Sequence, residues 1–349
     1  MKIIKKILSR RVAAPLLATL VCASGVFAAE ATYPTKPIRI IVPFAPGGGT
    51  DIVARIVGAK VSESWGQSVI IDNRGGGGAT IGTDLIAKSA PDGYTFGSIN
   101  SEQAIVPNIQ KVPFDPIGDF TPLTQSVTFS YVMVVHPSVP ATTVKEVIAD
   151  IRAKGGRFNF GTAHFSAGHL AGELFKLRTG VPMTHIPYKG TGPAITDLLG
   201  GQISLMFSTA PPALPLVKAG KLRAIAITAA KRSSLMPDLP TVAESGVSGF
   251  EVTGWSGFVG PARIPPVIVA RLNRELVRVL NLPDVRDRLY ASGVEPVGNP
   301  SAVIAIGAIV AGRHPRLAKP IQKICCTSAI GSPSMSIMRS QRRPDGFCG

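Results

Sequence analysis

The chain has 349 residues, with 37 basic and 21 acidic side chains and a formal net charge of +16. The excess is uneven: residues 1–28 hold 5 basic and no acidic residues, residues 301–349 hold 7 and 1, and the body between holds 25 and 20. A body near +5 suits weak steering of a small anion but lacks the clustered basic stripe of a nucleic-acid binder, and the absence of cysteine between Cys22 and Cys325 excludes disulfides and thiolate metal sites from it.

In chain order, Lys2, Lys5, Lys6, Arg10 and Arg11 precede an apolar stretch from Val12 to Phe27, the layout of a secretory signal peptide. Val26-Phe27-Ala28 fits the small-x-small cleavage rule, so residues 1–28 are expected to be removed, although Ala29-Glu30-Ala31 offers a second frame. The stretch is interrupted by Pro15 and falls short of the ~20 residues of a spanning helix, which favours cleavage over anchoring. No lipobox precedes Cys22.

From Tyr33 to Pro300 short β-rich runs alternate with helical patterns, the grammar of α/β layers, and the length suits two domains. Strands are predicted over 37–42, 68–72 and 94–99, with helices over 51–65 and 79–89 between them. The apolar run 131–135 reads as a strand buried on both faces. Helices then follow over 142–154, 166–179, 193–200 and 213–220, separated by strands over 157–161, 183–187, 203–207 and 222–228. The stretch 250–260 returns the chain to its first half, and helices over 265–280 and 284–292 close it.

Two glycine-rich loops, Phe44-Ala-Pro-Gly-Gly-Gly-Thr-Asp51 and Asn73-Arg-Gly-Gly-Gly-Gly-Ala-Thr80, each follow a strand and open a helix. Such junctions present unpaired backbone N–H groups at the positive end of a helix dipole, which is a ready anion site. Each is equally an ordinary tight turn. Neither spells a P-loop, and neither spells the dinucleotide fingerprint, since Thr80 stands where its last glycine belongs. A third junction places Thr162 after a strand and Ser166 at a helix start, where a serine is also a natural N-cap. His164 and His169 lack the HExxH spacing and no serine sits in a GxSxG elbow, so no metal and no cofactor is expected.

The segments PFAPGGGTDIVAR, IIDNRGGGGATIGT, PDGYTF, FGTAHFSAGHLAGELFK, IPYKGTGPAITDLLGGQISLMF, KAGKLRAIAIT, LPDLPTVAESG and ARLNRELVRVLN closely resemble the periplasmic receptors of tripartite tricarboxylate transporters, the Bug (Bordetella uptake gene) family. The resemblance covers about Tyr33 to Pro300. It implies a type II periplasmic-binding fold, two α/β lobes with a ligand cleft between them, holding a di- or tricarboxylate or related organic acid through backbone amides and ordered waters. Carried over by position, the near clamp is Phe44, Ala45, Gly48, Gly49, Thr50 and Asp51, with Ala79 and Thr80 adjoining. The opposite lobe contributes Thr162, His164, Ser166, Ala167 and Gly168. Ser208 stands where the family carries an acidic residue, which disfavours a ligand with a free ammonium group.

The reading is therefore a monomeric periplasmic receptor, with lobe 1 over 33–130 and 253–300 and lobe 2 over 131–252, serving the membrane subunits of a tripartite transporter without chemistry or nucleic acid. An exported sensory partner and a secreted hydrolase using Ser166 with His164 or His169 are the alternatives. After Pro300 the periodicity breaks and nothing resembles the family's closing helix; a frameshift would explain it. Residues 301–349 are expected to lie outside the folded unit, so limited proteolysis should trim them rapidly to a resistant core ending near Pro300; a tail as resistant as the body would overturn this.

Overall fold

The computed structural model describes residues 33–299. The signal segment, the four cysteines and the tail lie outside them. Tyr33–Thr35 belong to a unit separate from the rest and hold no helix or strand; the described helices and strands all belong to the unit from Lys36 onward.

Two strand-helix units and a third strand open this body: β1 (Ile38–Val42), α1 (Gly49–Trp65), β2 (Val69–Asn73), α2 (Thr80–Ala87) and β3 (Thr95–Asn100). β1 pairs parallel with β2 and with β3. Next come a four-residue helix, α3 (Glu102–Ile105), and the long strand β4 (Phe120–Val135). The second half contains α4 (Val144–Lys154), β5 (Asn159–Ala163), α5 (Ala167–Thr179), β6 (Thr184–Tyr188), α6 (Thr191–Leu199), β7 (Leu205–Thr209), α7 (Ala210–Lys218) and β8 (Arg223–Ile227). β9 (Thr253–Pro261), α8 (Pro266–Leu280), α9 (Pro283–Ala291) and β10 (Glu295–Asn299) complete it.

The strands join in the order β2-β1-β3-β9-β4-β7-β5-β6, with β8 and β10 also on β4. β4 is the seam. From Phe120 to Ser130 it pairs antiparallel with β9, and from Tyr131 to Val135 it pairs with β7 and β8. Side-chain alternation along its end feeds two cores at once. Met133 and Val135 enter the cluster with Phe158, Phe160, Phe175, Phe207 and Phe250, while Val132 and Val134 enter the one with Leu198, Met206 and Leu222. A third cluster, with Ile41, Ile86, Ile99, Trp255 and Val259, fills the first half.

The predicted order of elements is observed, with three differences. β4 begins eleven residues before the predicted strand at Tyr131, because in 120–130 Pro122 and several Thr, Gln and Ser residues interrupt the apolar Phe120, Leu123, Val127 and Phe129. Thr124 and Ser126 are nevertheless fully buried, and the Ser126 hydroxyl meets that of Ser256 at 3.0 Å. α3 and β10 are the other additions: α3 is a single turn, and Pro296 and Gly298 interrupt the strand pattern of β10. Among the described residues no helix is long and apolar enough to cross a membrane.

The fully buried Phe258 ring meets Phe96 edge to face, with centroids 6.0 Å apart. Phe258→Ala is expected to cost about 3–5 kcal/mol in urea unfolding; a loss below about 1 kcal/mol would show that the site collapses around the smaller side chain.

Candidate ligand site

β-strands carry the chain to one cavity, and helices leave from it. About 430 Å³ of non-atom space, part of it open to solvent, lies among Phe44, Gly48, Gly49, Thr50, Asn100, Glu102, Tyr131, Thr162, Ala163, Ser166, Thr191, Phe207 and Thr209. Four helices begin at lining residues: α1 behind its N-cap Gly48, α5 behind Ser166, α7 behind Thr209, and α6 at Thr191 itself. Each N-terminus carries roughly half a positive charge, so about two units converge here. No lysine or arginine is among the lining residues.

Local bonding leaves several hydroxyls able to donate. Thr50 Oγ1 accepts from Asn100 Nδ2 at 3.3 Å, which frees its own proton. Ser166 Oγ accepts the His169 backbone N–H at 3.1 Å and caps α5, again with its proton unused. Thr162 Oγ1 lies 2.8 Å from His185 Nε2, so it can give its proton to an anion when His185 carries one on that nitrogen. The Thr209 hydroxyl is buried without a partner among the described residues. Glycine is required at Gly49, where a Cβ would stand 2.7 Å from Thr209 Oγ1.

Of the residues named from sequence, Phe44, Gly48, Gly49, Thr50, Thr162 and Ser166 line this cavity. The others surround it without lining it. Asp51 is buried and organises its own loop, accepting from Gly47 N–H, Arg55 Nε and Asn73 Nδ2. Ala45 donates its N–H to Lys189 O at 3.3 Å, linking the first glycine loop to the segment before α6. Ala79, at φ 72°, and Thr80 form the start of α2, where Gln110 donates to the Thr80 hydroxyl. Gly168 allows close approach to β7, since a Cβ there would meet Phe207 O at 2.6 Å. Ala167 supplies the first backbone N–H of α5.

Ser208 departs from the reading most clearly. Alternation along β7 puts Phe207 and Thr209 at the cavity and Ser208 on the Met206 side, with its hydroxyl donating to Thr209 O at 2.9 Å. Asn100, Glu102, Tyr131, Ala163, Thr191, Phe207 and Thr209 were not named from sequence. For Thr191 and Thr209 a signal existed, since each stands where a strand or turn opens a helix, as the two glycine loops do.

Glu102 is buried, and desolvation pushes its pKa up to about 7 against the pull of backbone N–H groups of Glu102 and Ala167. Beside it, burial and then the Glu102 charge push the Tyr131 phenol well above its ordinary value, so it stays a donor. Behind Thr162 and Ser166, His164, His169 and His185 bring ring nitrogens within 4.8 Å of one another. Their rings stack: His169 and His185 lie 3.7 Å apart with 14° between planes. In-plane lone pairs of parallel rings do not aim at one point, so the cluster forms a stack rather than the converging donor set a metal ion requires.

Mixed α/β layers in two lobes, with helix N-termini gathered on a cleft, define the fold class of periplasmic ligand receptors. The sequence model of the tripartite tricarboxylate transporter family receptor matches residues 53–316, which runs past Pro300 into the segment whose sequence pattern diverges. The chain belongs to that family, whose members are receptors rather than enzymes. It is similar to the periplasmic binding protein BugD, 34% identical with a TM-score of 0.80 over 84% of this chain and 98% of that one. It is also similar to Rpa4515 of R. palustris, solved with adipate, at 34% identity and TM-score 0.79 over 84% of this chain and 98% of that one. MatC of Rhodopseudomonas palustris, solved with bound malate, is 30% identical with TM-score 0.77 over 83% of this chain and all of that one (100%). The hydrolase alternative falls with the family assignment.

Burial, then the neighbouring His164 and Lys176, push His169 down to about 4, and burial, then His169 and His164, push His185 down to about 2. Both must be neutral in the fold, so their stabilisation is full above about pH 6.5 and is lost as pH falls below it. Glu102 has the opposite sign: its raised pKa favours the fold below about pH 4.5, and that contribution is lost as pH rises through about 7. His185→Gln is therefore expected to flatten the acid-side fall in stability by roughly 1 kcal/mol per pH unit between about pH 6.5 and 5. Thermal melts across that window check it, and an unchanged slope would show that His185 is not held neutral.

Proposed function

We propose that this protein captures a small organic carboxylate in the periplasm between two lobes and delivers it to the membrane subunits of a tripartite tricarboxylate-type transporter. The observation that carries the reading is the convergence of four helix N-termini and several free hydroxyl donors on a cavity lined by no cationic side chain. Main-chain amides and hydroxyls suit an anion whose charge is spread over two oxygens, and bridging water extends their reach. The adipate and malate held by Rpa4515 and MatC support the same ligand class.

The lobes run over 33–130 with 253–300 and over 131–252, a division supported by the change of β4 pairing between Ser130 and Tyr131. Export uses the segment 1–28, cut near Ala28, and the mature protein acts as a monomer. Closure stabilises the bound state through contacts that both lobes make at once; the Ala45–Lys189 backbone bond is one such contact between the proposed lobes.

Mass spectrometry of the natively purified protein is expected to recover an unmodified small organic acid. At Gly48 a Cβ would stand 3.5 Å from Thr191 Cβ, an ordinary contact, so Gly48→Val should fold while its γ carbons fill the cavity. Retention of the acid should fall at least tenfold, roughly 1.4 kcal/mol or more. Equal retention by a folded Gly48→Val protein would place the clamp elsewhere.

A further inference from the structure

Glu102 is the one carboxyl among the lining residues, and it arrives from α3, an element that no sequence pattern announced. Its backbone N–H donates to Asn100 Oδ1 at 3.1 Å, which fixes the start of the helix. Its carboxyl is buried, and Oε2 has no hydrogen-bond partner among the described residues. The backbone N–H of Ala167, at the start of α5, bears on the same carboxyl. The chain's own carboxyl therefore occupies the α5 N-terminus that would otherwise receive a second anionic end of the ligand.

We infer that Glu102 sets the ligand class: the cavity takes a monocarboxylate whose far end carries a hydrogen-bond donor, a hydroxyl or an ammonium group, received by Glu102 Oε2. This rests on the carboxylate-receptor function proposed for the same cavity. About two units of positive helix charge are balanced by Glu102 and one ligand carboxylate. A second ligand carboxylate would stand beside Glu102 with no cation among the lining residues and would bind only with an added proton. A donor group instead satisfies an acceptor left unpartnered inside the protein. Glu102 thus supplies the acidic recognition that Ser208, turned away on β7, does not.

Tyr131 and the three histidines around Glu102 keep their charge through neutrality. Tyr131 on β4 remains protonated, and His169 and His185, behind Ser166 and Thr162, remain neutral. His164 is likewise pushed down by burial, and Asp51, behind Thr50, is bonded within its own loop. Glu102, pushed up to about 7, is the lining group that changes charge between about pH 6 and 8.

Calorimetry on the full exported chain tests this with matched acids of two lengths: 4-hydroxybutyrate, 4-aminobutyrate and succinate, and 6-hydroxyhexanoate, 6-aminohexanoate and adipate. The wild type is expected to prefer a hydroxy or amino acid over the dicarboxylate of equal length by at least tenfold at pH 8. Its affinity for that acid should rise about tenfold from pH 6 to 8 as Glu102 ionises, a readout that needs no substitution. Glu102→Gln, isosteric at a position with no ion pair among those described, should lose the preference and the pH dependence. A wild type that favours the dicarboxylate, or a variant with unchanged preference, overturns the assignment of Glu102 and leaves the receptor reading standing. Failure of every acid to bind overturns both.

Discussion

Four helices starting at one cavity constrain the rest of this protein. A helix N-terminus is useful to an anion only when its first N–H groups point into space that water does not fill freely, so strand ends must stop at the same place and the turns after them must be tight. That demand explains the close approach at Gly49, where a side chain would strike Thr209, and at Gly168, where one would strike the Phe207 carbonyl. Asp51, conspicuous after the first glycines, holds its loop through Gly47, Arg55 and Asn73 and does not line the cavity.

The sequence made much of this legible because strand-turn-helix units have strong local signals. Glycine runs, β-branched strands and amphipathic helices located β1, α1, β2 and α2, and the resemblance placed six lining residues across both halves. What escaped depends on partners far away along the chain. Thr124 and Ser126, in the first two thirds of β4, are polar yet buried, since Ser126 finds Ser256 and the backbone finds β9, and nothing in residues 120–130 alone signals either. Glu102 was not named, because burial of a carboxyl is decided by what folds over it. Ser208 shows the sharpest limit: a strand's two-residue period turns a one-position shift into the opposite face.

β4 gives the fold its division of labour. Its first two thirds carry a ladder with β9 and its end a ladder with β7 and β8, so that end feeds two hydrophobic cores while Phe120, at the other end, joins the third. The cavity lies where Tyr131 begins the second length, beside Glu102 and Asn100 from the first half. A buried acid facing a buried phenol and a neutral histidine stack behind the donors give this region opposed responses to pH, one loosening in acid and the other in base.

A cradle made largely of main-chain amides has a consequence for how such receptors diversify. Substitution exchanges side chains but leaves peptide N–H groups in place, so the grip on the anion survives most mutations that keep the helix starts. Selectivity then resides in the few side chains that share the cavity, such as Glu102, Asn100, Tyr131 and Thr209 here. Duplicated genes can drift at those positions and acquire new nutrients without ever passing through a form that has lost its hold on the common acid group.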